Sequence, residues 1–319
     1  MSVPTVSVIV TAHRRTKFLA DALHSIKRQT QLPDEVVVVE DNPPYGAPSI
    51  DPPGLPYRWT NRGDLPTMGD KVAFGLSLAR GDLVAFLEDD DRFDPEKIVH
   101  VVEVFQDHPE VVFLRNRLAY IGPNGDPLPP PSPIRYHPEG LVPPIPSAMS
   151  RGLMTLNMSA MSVRRSVYLP ALGFYRDCSV SADIVTYWLS AYLGGSAWYS
   201  PRPLTEYRFH GQNASQTRVV EVTLSSHDLS RRLVTKSRPG TPAFRLAQSI
   251  ERSQRVGSAM ASGRFPGPSD LVGQTWDAVV RLSAIHFLRV LSVYRSWEKF
   301  HRSSRPAHTP GRVEDRIGR

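Results

Sequence analysis

The chain has a single cysteine, Cys178, in 319 residues. No intramolecular disulfide can form and no cysteine-based zinc site can be assembled, a usage that suits a reducing, cytoplasmic setting. Long hydrophobic runs are also missing: no window approaches the roughly 18 uncharged apolar residues of a membrane span. The first apolar stretch, Val6 to Val10, is too short for a signal-peptide core and is followed, not preceded, by basic residues. The expectation is a soluble chain, or one held at the inner surface of a membrane. Two nucleotide-binding signatures are absent too. Without G-x-G-x-x-G after the first strand-like run there is no dinucleotide fingerprint, and without G-x-x-x-x-G-K-[ST] there is no P-loop.

Charge is present but uneven. The net charge is +7, yet residues 225–319 carry 17 Lys and Arg against 7 Asp and Glu, whereas residues 1–224 carry 21 against 24. The basic character therefore describes a C-terminal appendage, and the body of the protein is slightly acidic. The appendage does not interleave its basic residues with stacking aromatics, so no nucleic-acid partner is expected.

What is there is an alternation of the two periodicities that mark βαβ units. Val6 to Val10 reads as a buried strand. Lys17 to Gln29 has apolar residues at helical spacing, and Val36 to Val39 is a second β-branched strand ending on Glu40-Asp41. Pro43 to Pro56 is a Pro- and Gly-rich loop, and Lys71 to Ala79 is a helix broken by Gly81. Leu83 to Leu87 is a third strand, running straight into Glu88-Asp89-Asp90-Asp91. A helix over Pro95 to Asp107 and a strand over Val111 to Leu114 complete a parallel, doubly wound pattern. Residues 127–146 hold nine prolines, a composition expected to exclude any regular ladder or helix. A second αβ region follows, with Ser159 to Val163, a helix from Ile184 to Leu193 and the stretch Tyr199 to Ser215. Beyond residue 225 the chain reads as helical. From Trp276 to Trp297, Arg281, Arg289, Ser292, Arg295 and Ser296 share one narrow arc of an otherwise apolar helix, which would pack on its own domain or offer a homodimer or peripheral membrane contact. The end, Arg302 to Arg319, is expected to be disordered. Three parts result: residues 1–120, 121–224 and the basic extension 225–319.

Ligands of doubly wound sheets sit beyond the carboxyl ends of the strands, and three such ends here carry polar or acidic residues. Four adjacent carboxylates at the end of a buried strand repel one another unless a cation sits among them. Hard divalent ions, Mg²⁺ or Mn²⁺, suit oxygen ligands and are commonly shared with phosphate. On an extended segment Glu88 and Asp90 would face the same way and aim at one ion.

These segments resemble a known family. Val6 to Val10, Phe18-Leu19 with Ser25-Ile26 and Gln29-Thr30, and Ala79 to Asp91 are similar to the GT-A fold, family 2 inverting glycosyltransferases, as are Met161 to Arg165, Gly173-Phe174 and Leu204 to His210. The likeness covers roughly residues 4–216. It implies an α/β fold with a nucleotide-sugar-binding half over 1–120 and an acceptor-binding half over 121–224. It also implies a nucleoside diphosphate sugar donor, UDP-sugar favoured, and a glycan, lipid-linked or small-molecule acceptor. Thr11, Glu40 and Asp41 would line the nucleoside pocket, with Asn61, Arg62 and Gly63 as a turn beside the base. Glu88 and Asp90 would take the place of the Asp-x-Asp metal motif, with Asp91 adjacent, Asp89 beside the donor and His210 on the ion or the diphosphate. Arg208 and Lys71 would neutralise phosphate. Asp183, before the helix that starts at Ile184, would be the general base, and Asp177 the fallback. Three positions depart from the family's pattern: His13 replaces an aromatic tyrosine, Glu88 an aspartate and Ala182 a glutamate. Arginine outnumbers lysine, a usage associated with GC-rich bacterial genomes and so with cell-surface glycan or natural-product glycosylation.

Two other readings use the same residues. A sugar-nucleotide nucleotidyltransferase would need a Gly-rich basic first loop, and Thr11 to Arg15 contains no glycine. A non-catalytic module on the same fold would bind a glycan or a protein, and no nucleotide would stabilise it.

Overall fold

Seven consecutive buried residues, Val6–Ala12, form the strand β1 around which the rest assembles in the computed structural model. The structure describes residues 2–13, 17–46, 48–49, 57–130, 138–142, 157–176, 178–210, 213 and 219–262. The expected helix over 276–297, the expected disorder beyond 302 and Asp177 lie outside the described residues.

Parallel partners flank β1 on both sides, β2 (Glu35–Glu40) and β4 (Leu83–Glu88), and β3 (Tyr57–Asn61) adds to β2. Runs such as Val36–Val39 are buried on both faces, as parallel strands covered by helices must be. Helix α1 (Leu19–Lys27) lays Leu19, Ala22, Leu23 and Ile26 on one face of the sheet, joined there by α3 (Lys97–Asp107) through Ile98, Val101 and Phe105. Helix α2 (Met68–Leu78) covers the other face with Val72 and Leu76 against Ile9, Val37 and Phe86. The alternation along β1 sends Val8 and Val10 to one core and Ile9 to the other.

The remaining strands depart from a purely parallel sheet. After the two-residue β5 (Arg92–Phe93) and α3, the long β6 (Val111–Ile121) does not lie beside β4. Strand β9 (Met161–Arg164) inserts between them, antiparallel to both. The expected completion of a parallel pattern by 111–114 is corrected accordingly: the sheet is mixed and mostly parallel, in the order β3-β2-β1-β4-β9-β6-β10-β5, where β10 is Ser196–Arg208. The proline-rich segment also carries more order than its composition predicts. Pro127–Leu128 (β7) folds back on Tyr120–Ile121, and Gly140–Val142 (β8) pairs with β10. Both are short additions at the margins of the sheet, the setting in which proline is tolerated.

A short helix α4 (Arg165–Tyr168) follows β9, and α5 (Ala182–Tyr192) buries Trp188 in the core beneath α2. Helices α6 (Val219–Lys236) and α7 (Pro242–Ala261) pair with each other, and Leu229, Leu233, Leu246 and Ile250 extend the same core. Among the described residues no helix is long and apolar enough to cross a membrane.

Candidate active site

Strands β1, β2 and β4 end side by side, with Thr11 paired to Glu88 and Ala12 to Glu40, so their last residues share one edge of the sheet. Glu40 and Asp41 point in opposite directions, as successive residues of a strand do. The Glu40 carboxylate is fully buried and accepts four hydrogen bonds, from Ser49 N (2.9 Å), Ser49 Oγ (2.6 Å), Asn42 Nδ2 (2.6 Å) and Trp59 Nε1 (2.7 Å). These four bonds organise the loop after β2. Asn61 does similar work, accepting from Asn42 N and donating to the Asn42 and Pro44 carbonyls. Arg62 is at the surface, paired with Asp64.

Asp41 faces the edge. Its oxygens stand 2.8 and 3.0 Å from His13 Nδ1 and 3.5 Å from Lys71 Nζ. Burial would raise its pKa, but the His13 hydrogen bond and the Lys71 charge outweigh burial and hold the carboxyl below its usual range. Burial in turn lowers Lys71, against the pull of Asp41 and Asp89. Lys71 reaches this point because a capping box starts α2: Thr67 Oγ1 accepts from Asp70 N at 3.0 Å and the Asp70 carboxylate accepts from Thr67 N. Gly69 lets the first turn close on the backbone of Tyr175 and Cys178, since a Cβ there would stand 1.9 Å from the Tyr175 carbonyl oxygen. His13, whose side chain is 42% exposed, also donates its backbone N–H to Asp89 at 3.0 Å, so it joins the β2 end to the β4 end.

At the end of β4 the extended backbone stops at Glu88, and Asp91 N bonds back to Glu88 O at 3.2 Å. Residues 88–91 therefore form a turn and not the expected extended segment, so the turn and not strand alternation sets where Glu88 and Asp90 point. Glu88 reaches Asn157 Nδ2 at 3.1 Å. Asp91 turns inward, accepting from Asn157 Nδ2 (3.0 Å), Ser159 Oγ (2.7 Å) and Arg208 N (3.0 Å). Asp90 meets His210 Nε2 at 2.8 Å. Burial first, and the neighbouring carboxylates second, push Glu88 well above the ordinary carboxylate range and Asp91 to about 7. Two carboxylates drawn toward protonation in this way, beside two more in the same turn, fit a site completed by a cation, and Asp90 with His210 offers it an oxygen and a nitrogen donor. Among the described residues no group of three or more His, Cys, Asp or Glu is arranged to hold a metal ion by itself.

The Arg208 guanidinium is buried over the Phe18 ring at 4.8 Å, donates to Asp90 O (2.8 Å) and Pro123 O (3.2 Å), and pairs with Asp21. These contacts brace the turn that presents Asp90.

Asp183 lies in the first turn of α5, where Ile184 N donates to its Oδ1 at 2.9 Å. The helix is entered through Ser181 in a left-handed conformation (φ 51°, ψ 41°), with Ser181 Oγ 2.6 Å from Ser226 Oγ on α6. Such a conformation is strained for serine and fixes the angle at which the turn carrying Asp183 arrives. Burial lifts the Asp183 carboxyl to about 6, and Arg115 opposes that rise. Asp183 is also among the charges that raise Glu88, so it stands near the acidic β4 end. Sequence reasoning missed His13, Asn157, Ser159 and Arg115 as parts of this site. Only His13 left a trace, as a departure from a family pattern.

A mostly parallel α/β sheet with these acidic strand ends has the GT-A architecture. Residues 7–141 match the model of glycosyl transferase family 2. An uncharacterized glycosyltransferase of Nostoc sp. is 30% identical over 127 residues, 37% of this chain and 38% of that protein. One of Haemophilus influenzae is 28% identical over 116 residues, 34% of this chain and 37% of its own length. The chain thus spans under two fifths of the curated relatives it matches. Among solved structures, S. aureus TarS 1-349 in complex with UDP-GlcNAc superposes with a TM-score of 0.59 at 16% identity, covering 95% of this chain and 93% of that one. The same protein in complex with UDP gives 0.56 at 14%, again over 95% and 93%. A longer TarS structure gives 0.54 at 17%, over 81% of this chain and 43% of that one.

Proposed function

We propose that this chain is an inverting glycosyltransferase that moves a sugar from a nucleoside diphosphate donor, of which UDP is the favoured nucleotide, to an acceptor hydroxyl. The observation that carries the reading is the nearness of Asp183, a half-buried carboxylate whose pKa its surroundings lift to about 6, to the acidic end of β4. One group is poised to take a proton at neutral pH, and the other is built to hold a charged leaving group.

Thr11 and the Asp41–Lys71–His13 group would line the nucleoside side, with Asp89 held between them by the His13 N–H. Asp183 would accept the proton of the acceptor hydroxyl as that oxygen bonds to the anomeric carbon and the bond to the diphosphate oxygen breaks on the opposite face. Asp90 and His210 would hold a divalent ion, Mg²⁺ or Mn²⁺, which when bound offsets the charge that develops on the leaving diphosphate. Lys71, buried beside Asp41 and attracted to Asp89, keeps a positive charge close to the same edge. The glycan, lipid-linked or small-molecule acceptor would approach from the α5 side.

The test is thermal unfolding of the full chain with UDP or GDP, with and without Mn²⁺. A ligand at 100 times its Kd stabilises by about 2.7 kcal/mol. Stabilisation by a diphosphate that needs Mn²⁺ in the natural chain and is lost in Asp90→Asn is expected. Indifference to every nucleotide under both conditions would remove the reading. Donor hydrolysis across a panel of nucleotide sugars then identifies base and sugar.

A further inference from the structure

A buried amine that the mechanism above does not use stands at the head of a chain of hydrogen bonds that ends on the acidic turn. Lys97, at the start of α3, is fully buried, and among the described residues no carboxylate forms an ion pair with it. Its Nζ lies 5.4 Å over the Phe93 ring and donates to Asn116 Oδ1 on β6. Burial lowers its pKa to about 7, and as amine or ammonium alike it has N–H bonds to give. The Asn116 Nδ2 group donates to Arg117 O at 2.7 Å and to Thr205 Oγ1, on β10, at 3.1 Å. Thr205 has a single hydroxyl proton and two acceptors in reach, Ser159 O at 3.0 Å and Asn116 Oδ1 at 3.5 Å. Because Lys97 already occupies Asn116 Oδ1, the proton goes to Ser159 O. The Ser159 hydroxyl in turn accepts from Glu88 N at 3.0 Å and donates to Asp91 Oδ2 at 2.7 Å. Lys97, Asn116, Thr205, Ser159 and Asp91 are all fully buried, so bulk water competes for none of these links. An apolar side chain of the same length would avoid the cost of burying an amine, so core packing alone does not account for a lysine here. Without the amine, Asn116 Oδ1 is a buried acceptor lacking a donor, and the Thr205 hydroxyl is the group near enough to turn toward it, releasing Ser159 O.

We infer that Lys97 is a positioning residue for the acidic turn at residues 88–91, acting through Asn116, Thr205 and Ser159 to seat the Glu88 amide and the Asp91 carboxylate, and so to set where Asp90 meets His210. That the turn holds a diphosphate and its ion rests on the function proposed above, whereas the seating does not. The test has two arms, both on the full chain. In the ligand-free protein, hydrogen exchange at the Glu88 and Arg208 amides, which bond to Ser159 Oγ and Asp91 Oδ1, should quicken about two- to ten-fold in Lys97→Met while the amides of β1 keep their natural rates. A lysine that served packing alone would speed exchange everywhere or nowhere. In the second arm, UDP titrated in the presence of Mn²⁺ should bind Lys97→Met about ten-fold more weakly, the low end of the range for groups that orient a metal ligand from behind. Asn116→Asp keeps an acceptor for Lys97 but loses the donor to Thr205, so it should share both defects. Adding Lys97→Met to Thr205→Val should cost nothing beyond Thr205→Val alone, since links of one chain are not additive. Natural exchange at Glu88 and Arg208 in Lys97→Met, or additive losses in the double variant, would overturn the inference. If the exchange effect is present but the natural protein binds no UDP with Mn²⁺, the positioning stands and the proposed function falls. Should Lys97→Met not fold, Asn116→Asp and Thr205→Val make the same measurements from further along the chain, and failure of all three to fold assigns these residues to folding alone and overturns the inference as well.

Discussion

Replacing Asp183 by asparagine should make the protein less active and more stable at once, and the two effects have one cause. Burial lifts this carboxyl from its ordinary 3.8 to about 6. At about 1.4 kcal/mol for each tenfold change in proton affinity, keeping the group ionised costs the fold about 3 kcal/mol at neutral pH. The sign follows from where the proton binds better. The folded state holds it more tightly, so the cost is absent below pH 3.8, grows as pH rises toward 6 and is complete above that. Asp183→Asn never ionises and escapes it. Urea unfolding at pH 7.5 should therefore find the variant more stable by up to about 3 kcal/mol, and the same comparison near pH 4 should find the difference close to zero. Turnover should fall by roughly 10²–10⁴, the usual contribution of a general base. In the natural protein, kcat should decline as pH drops below about 6. A variant no more stable at pH 7.5 than at pH 4, with turnover intact, would refute the idea that a half-buried, working carboxylate sits at the start of α5.

Other expectations concern the supports of the site. Arg208→Met, which leaves the Asp90 and Pro123 carbonyls without this donor and Asp21 with Arg92 as its remaining partner, should destabilise by about 1–3 kcal/mol in urea unfolding. It should also weaken Mn²⁺-dependent nucleotide binding, because the turn presenting Asp90 loses its brace. Gly69→Ala pushes a methyl group against the Tyr175 carbonyl and should cost about 1–3 kcal/mol, read as a lower urea midpoint. Trp59→Phe removes one donor from the buried Glu40 carboxylate and should cost about 1–3 kcal/mol in the same measurement.

Much of residues 1–120 was legible because the strands there are β-branched runs of fixed period and the helices have single apolar faces. The helix expected over Lys71 to Ala79 begins at Met68, and the strand expected over Leu83 to Leu87 includes Glu88. Strand β3 was hidden, since Tyr57–Asn61 has little alternation and is read as strand only through its pairing with β2. Which residue of an acidic run faces where was not legible either. Glu40, Asp91 and Arg208 all carry the right charge for a nucleotide site, and each is bonded to partners distant in sequence, from Trp59 to Asn157 and Asp21. Charge can be counted along a chain, but direction depends on turns and tertiary donors that spacing does not encode.

The antiparallel β9 has a consequence for how the molecule is made. Because Met161–Arg164 is the strand that joins β4 to β6, a nascent chain that has emerged only through residue 121 has both flanking strands but nothing to link them. Assembly of the central sheet must wait about forty residues of synthesis, with two apolar ladders open to wrong neighbours in the meantime. Truncations ending before β9 should aggregate on the ribosome's timescale, whereas those ending after β10 keep the sheet whole.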